Sequence, residues 1–454
     1  MRRAGIVALV IVASLLIALA GFSGLRQRPA GAESAFAEPV ELVSQGGVLR
    51  ATLTAARGEA EVAGQRFATT VYNEALVGPT LRVRPGDLIE LTLVNELDEP
   101  TNLHFHGLHV SPSGKADNVF REVAAGDSAR YVVEIPADHA PGTFWYHSHQ
   151  HHLSYEQVLA GLSGVIVVDE ITALLPAELR SIEKRMFALR DFQVSNDPGA
   201  PTVRTVNGLV NPALSIAPGE TQLWHLANIG AELFYKLALP GHRFHVTAED
   251  GVPVWRTWET ETLVLPSGKR YDVLIQGGEV GNTPLMALSY HQGCVQCPEV
   301  TLATLTVSGA AVHAQSPPAS LVPRHGLVAA DVDRRRTLVF SSNDDTGQYF
   351  INDRLFNEDR IDQTVRRGSV EEWTLRNEDP DEHPFHIHVN DFEVISVNGQ
   401  PYDARGLQDT VILPGNGAVV IRIPFKDYLG KFVYHCHIMF HGDGGMMGVV
   451  EVIE

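Results

Sequence analysis

The sequence predicts an all-β chain of three consecutive β-sandwich domains, and three observations predict it. One turn-and-strand unit recurs three times, the short strands around each copy alternate apolar and polar residues, and helical periodicity is scarce. With 454 residues, 44% of them hydrophobic, the chain is long enough for several full cores.

The first element is a leader. Arg2 and Arg3 precede 22 uncharged residues, 4–25, and small-residue sites stand at Ala18-Leu19-Ala20 and Ala35-Phe36-Ala37. Residues 1–37 thus carry the basic start, apolar core and cleavage site of an export signal, although an apolar run of this length also serves, uncleaved, as a membrane anchor. The expectation is an exported protein, periplasmic or extracellular, with cleavage favoured over attachment. The paired arginines suggest the twin-arginine route, but their neighbours match its consensus poorly.

The repeats follow. Gly86-Asp87-Leu88-Ile89-Glu90-Leu91-Thr92-Leu93-Val94-Asn95 recurs as Gly219-Glu220-Thr221-Gln222-Leu223-Trp224-His225-Leu226-Ala227-Asn228 and as Gly368-Ser369-Val370-Glu371-Glu372-Trp373-Thr374-Leu375-Arg376-Asn377. Each copy is a turn glycine, an alternating strand and an Asn nine residues after the glycine. Nine and eleven residues past the Asn stand His104 and His106 in the first copy, His386 and His388 in the third, and Leu237 and Leu239 in the second. The outer copies share a further unit: Ile135-Pro136, Gly142 and His147-Ser148-His149 match Ile423-Pro424, Gly430 and His435-Cys436-His437. The expected domains are 38–170, 171–315 and 316–454, with breaks near 169–175 and in the Pro/Ser-rich linker 312–324. The best helical candidate is 174–187.

Within each His-x-His the two imidazoles lie on one face of a strand, because side chains alternate with period two. Taken singly, such a pair is more often surface or core histidine than ligand. Four motifs in matched pairs, with His441, use ten of the twenty histidines, which chance does not explain. The last motif follows the strand-like run Lys431-Phe432-Val433-Tyr434, so His435 and His437 face one way and Cys436 the other. Cys436, His441 five residues on and Met446 ten residues on, with a second His from elsewhere, form the ligand set of a blue-copper electron-transfer site. One strand therefore serves two metal centres.

These motifs resemble those of the multicopper oxidases, and the resemblance covers nearly all of the chain after the leader. It implies cupredoxin-like Greek-key domains and four coppers per chain: one type 1, one type 2 and a type 3 pair. By the same resemblance His383, Cys436, His441 and axial Met446 hold type 1. His104 and His386 hold type 2, and His106, His147, His149, His388, His435 and His437 hold type 3. The cluster then sits where the first and third domains meet. Asp117 resembles the family's acid beside that cluster, a proton donor, with an exposed loop acid as the bland alternative. Where many bacterial relatives have an acid after the second type 1 His, this chain has Gly442, then Asp443. Asp379 matches an acid at the donor entrance of copper-oxidising relatives. Met447 is expected in the core, and His109, His151 and His152 at the surface or behind the ligands. His291 is left undecided, and His225, His242 and His245 fall in the copy without ligands.

The implied activity is one-electron oxidation of a donor, laccase-like towards phenols and aromatic amines, coupled to four-electron reduction of dioxygen to water, with Cys436, His435 and His437 joining the two centres. The alternative donor is Cu(I), or another low-valent metal, for copper tolerance. Six methionines and no Met-rich insert weigh against a dedicated cuprous oxidase, although Asp379 and Met439 offer a smaller site. A copper nitrite reductase needs no type 3 pair, and a non-catalytic envelope protein of this fold is expected to have lost ligands. The formal charge of −19 disfavours nucleic acid as a partner and suits cations. Of three cysteines, Cys294 and Cys297 remain, and in an exported chain the bland reading of that pair is a short disulfide. Nothing in the sequence indicates the oligomeric state.

Overall fold

Each copy of the repeated unit folds alike, and the conserved spacing has a physical cause. The turn glycines Gly86, Gly219 and Gly368 have φ of +88°, +79° and +81°, a conformation that glycine adopts without a Cβ clash. Each leads into a central strand, Leu88–Asn95, Thr221–Asn228 or Val370–Asn377. Each strand ends on a buried Asn that pins a corner. Asn95 Nδ2 donates to the carbonyls of Glu99, Val123 and Ala124, Asn228 Nδ2 to Leu233 and Leu265, and Asn377 Nδ2 to Asp381, Leu413 and Pro414. In every copy Oδ1 accepts the N–H two residues on, from Leu97, Gly230 and Asp379.

The structure, a computed structural model, describes residues 34–194, 202–293, 295–343 and 346–454. Three β-sandwiches, each of two sheets, follow one another along these residues. The strands Leu88–Asn95 and Val370–Asn377 alternate between buried and half-buried residues, while Thr221–Asn228 is buried throughout because the middle sandwich is covered on both sides. The second sheet of each sandwich has one topology. In the first, Gly142–His147 lies between Ser163–Val168 and His104–His106; in the third, Gly430–Cys436 lies between Met447–Ile453 and His383–Ile387. The middle equivalent, Tyr235–Ala238, buries Leu237, and Leu239 follows it into the core.

One expectation needs correction. Residues 174–187 do not form a helix: the 3-10 turns Ile171–Leu174 and Ala177–Leu179 give way to the strand Glu183–Gln193, which pairs in parallel with Thr221–Asn228. Sheet pairing overrides the weak helical period there. Among the described residues the α-helices are Ser154–Ala160 and Met439–Asp443, one after each second His motif. The Cys297 thiol is buried and donates to Gln292 Oε1; its expected pairing with Cys294 lies outside the described residues, because Cys294 is not among them. The leader through residue 33 also lies outside them. Among the described residues no helix is long and apolar enough to cross a membrane.

Candidate metal centres

Strand register brings the four His motifs together. His104 pairs across the sheet with His147, and His386 with His435. The two sheets then meet ring on ring: His104 stacks on His388 and His106 on His386, each at 3.8 Å between centroids. Eight imidazoles from the first and third sandwiches thus share one buried volume.

Hydrogen bonds on the outer side of the rings assign their tautomers. The Nδ1–H of His104 donates to Asp117 at 2.9 Å, that of His147 to Ser148 O at 2.8 Å, that of His386 to Asp409 O at 2.9 Å and that of His435 to Cys436 O at 3.0 Å. Their Nε2 lone pairs therefore point inwards. Nε2 of His104, His147 and His386 is buried with no hydrogen-bond partner among the described residues. His435 Nε2 lies 3.2 Å from His149 Nε2 and 3.3 Å from His388 Nε2, and His437 Nε2 lies 3.2 Å from His106 Nδ1. Orphaned, converging acceptors in a buried site are what a bound cation satisfies. Burial holds His104, His106, His149, His388, His435 and His437 well below the usual histidine range and His147 at about 3, so the rings are neutral, the form that binds metal.

Cys436 faces the opposite way. Its Sγ lies 3.6 Å from Nδ1 of both His383 and His441, and those two nitrogens are 3.1 Å apart. The Cys436 N–H donates to Met446 O at 3.1 Å, which seats Met446, wholly buried, beside this group. Burial raises the Cys436 thiol, so a thiolate here requires a cation at the sulfur. Met447 packs with Val119 and Val433, as expected of a core residue.

The carboxylates differ in role. Asp117 is 2% exposed, so it is no exposed loop acid; it holds His104 Nδ1 and the Phe105 N–H, and burial raises it to about 7. Asp379 Oδ2 accepts His383 Nε2–H at 2.9 Å; burial would raise its carboxyl, but bonds from His383 and Ser342 hold it low. Asp443 sits on the helix Met439–Asp443 and accepts the Tyr155 N–H, away from the cluster rings. Met439 is buried in a core cluster with Trp145, Met186 and Ala231. The His383 and His441 rings do not meet the surface as bare edges: they are 1% and 4% exposed, and Tyr349 stacks on His441 at 4.1 Å. His109 bonds Val389 O and Asp427, His291 is exposed, and His225 pairs with Asp272 and Thr143.

Sequence reasoning missed Asp409, Ser267, Lys269 and Arg270. None lies in a His motif, and Pro266-Ser267-Gly268-Lys269-Arg270 reads as an ordinary turn. Asp409 Oδ1 is 3.4 Å from His106 Nε2 and 3.5 Å from His386 Nδ1, and Ser267 Oγ is 3.2 Å from His437 Nδ1.

Family models described as multicopper oxidase match residues 54–172, 179–308 and 330–454. A multicopper oxidase, mco, of Staphylococcus haemolyticus is 29% identical over 421 residues, covering 88% of each chain. A cell division protein, FtsP, of Xenorhabdus nematophila is 28% identical over 411 residues, covering 84% of each. Among solved structures, a multicopper oxidase from Campylobacter jejuni described as a metallo-oxidase superposes with a TM-score of 0.81 at 26% identity, covering 93% of this chain and 96% of that one.

Proposed function

The chain belongs to the multicopper oxidase family, and from that premise we propose that it is an exported oxidase taking single electrons from phenols or aromatic amines and delivering four to dioxygen, which becomes water. The observation that carries this reading is the completeness of the donor set: every motif His and Cys436 is buried and stands against other donors, His437 through His106.

His383, Cys436 and His441, with Met446, would hold a type 1 copper. His104 and His386 would hold type 2, and His106, His147, His437 and His149, His388, His435 the two type 3 ions, four coppers in all. Copper so bound supplies one-electron oxidation at the first place and oxygen reduction at the second. The chain's own contribution is spatial and protic. Cys436 is bonded through its backbone to both His435 and His437, so one strand spans the two places. Burial of the His cluster keeps bulk water from the oxygen chemistry. Asp117, whose carboxyl burial raises to about 7, holds His104 Nδ1 and so stands beside the cluster where a general acid would act.

A second donor, Cu(I) or another low-valent cation, is favoured by one observation: the outer nitrogen of His383 is met by a carboxylate, Asp379, within the acidic run Glu378-Asp379-Pro380-Asp381-Glu382. The relatives named FtsP are described as cell division proteins, and against a non-catalytic role of that kind for this chain the full ligand set argues. Metal analysis and oxygen uptake decide. About four coppers per chain and uptake driven by dimethoxyphenol support the proposal, uptake driven by Cu(I) alone moves the donor, and a copper-free or inert protein overturns it.

A further inference from the structure

We infer that the middle sandwich, which carries no His motif, positions the ligands of the trinuclear cluster through one loop, Ser267 to Arg270; the inference rests on the copper reading above. The loop reaches both ligand-bearing sandwiches. Ser267, wholly buried, donates its hydroxyl to Gly230 O at 2.6 Å, which leaves its lone pair to accept His437 Nδ1–H at 3.2 Å. His437 Nε2 is thereby turned inwards, towards His106. Gly268 has φ of +87°, and a Cβ there would stand 3.0 to 3.1 Å from the His437 ring, so glycine is what lets the backbone lie against the ligand.

Arg270, also wholly buried, closes a fork on Asp409: Nη1 to Oδ1 at 2.9 Å and Nη2 to Oδ2 at 2.7 Å. Its Nε donates to Thr143 O of the first sandwich at 3.2 Å. A Cβ on Gly107 would collide with this ion pair, so the residue after the first His motif also makes room for it. Asp250 Oδ2 accepts the N–H groups of Asp409 and Thr410, each at 3.1 Å, and Lys269 Nζ at 2.9 Å. Lys269 reaches on to Thr410 O and Gln408 Oε1. Asp409, held on its backbone and on its carboxylate, accepts His386 Nδ1–H through its carbonyl. A cavity of about 570 Å³ opens on the outer side of Lys269, so this clamp is also the wall between solvent and His386. The three copies of the fold thus divide two tasks: the outer two supply ligands and the middle one aims them.

Ser267→Ala and Arg270→Lys, prepared as the full copper-loaded chain beside wild type, test this by chelator titration with copper count, blue absorption and the type 2 EPR signal followed together. Loss of a partner behind a ligating His typically weakens metal binding about 10- to 100-fold. The expected result is that type 2 and type 3 copper leave at correspondingly lower chelator in both variants. In Ser267→Ala the blue site and the unfolding temperature of the copper-free chain stay at wild-type values. Trinuclear copper held as in wild type overturns the inference, as does loss of all coppers in parallel with a lower copper-free unfolding temperature, which marks a merely structural role. If Arg270→Lys does not fold, Ser267→Ala decides alone. A wild-type chain that holds no trinuclear copper refutes the reading beneath, and the inference with it.

Discussion

His106 and His437 stand 331 residues apart in the chain, yet Nδ1 of the first lies 3.2 Å from Nε2 of the second. One belongs to a three-residue strand of the first sandwich, the other directly follows the strand Gly430–Cys436 of the third, and the pair marks where oxygen is expected to be reduced.

Replacing Cys436 by Ser removes the sulfur that faces His383 and His441 without disturbing the rings on the other face. The variant is expected to lose its blue absorption and about one copper per chain while keeping the type 2 EPR signal, and to take up no oxygen with any donor. Loss of all four coppers would show that the two centres are not separable in this way.

Asp117→Asn keeps an oxygen to hold His104 Nδ1 but removes the proton. Copper content should stay whole while kcat falls on the order of a hundredfold, the usual contribution of a positioned general acid, with KM for the donor unchanged. An unchanged kcat would reduce Asp117 to a support for His104.

Asp379→Ala separates the donors. It uncovers the outer nitrogen of His383 and removes a carboxylate from the entrance. If a metal cation is the donor, kcat/KM for Cu(I) should drop about tenfold or more, whereas phenol oxidation holds or rises. Equal losses for both donors would mean that Asp379 acts on His383 itself.

Glu232, raised to about 7 first by burial and then by Asp191, gives a pH signature in stability. The unfolded chain ionises this group near the ordinary glutamate value of about 4.3, so between there and 7 the folded state binds more protons and stability falls as pH rises. Glu232→Gln should therefore raise the unfolding temperature at pH 8 and leave it unchanged at pH 4. A gain of the same size at both pH values would trace to packing instead.

The Asn pins predict matching costs in different repeats. Asn95→Ala and Asn377→Ala each strand three carbonyls and one N–H near the core, which should cost on the order of 3 kcal/mol, measurable by denaturant unfolding. A mild effect at either would mean that water replaces the side chain.

Much of the molecule was legible in the sequence because its information is local. A turn glycine, an alternating strand and a terminal Asn are read within ten residues, and period-two geometry alone separates Cys436 from His435 and His437. Three copies made the fold class plain, and Leu237 and Leu239 showed which copy had lost its ligands. Residues 174–187 misled because a short apolar period is shared by helix and buried strand, and pairing with Thr221–Asn228 settled it.

Only the tertiary structure decided how the ligands are held and approached. Asp409 bears on His106 and His386 only because Arg270 and Asp250 arrive from another sandwich, and Ser267 meets His437 across 170 residues. The closing of Tyr349 over His441 and the burial of Met439 in the core depend likewise on how sheets pack. Ligand type and spacing are properties of one strand, which a sequence records directly. The partners behind each ligand come from surfaces that touch only after the three sandwiches have assembled, and no periodicity in the chain encodes that contact.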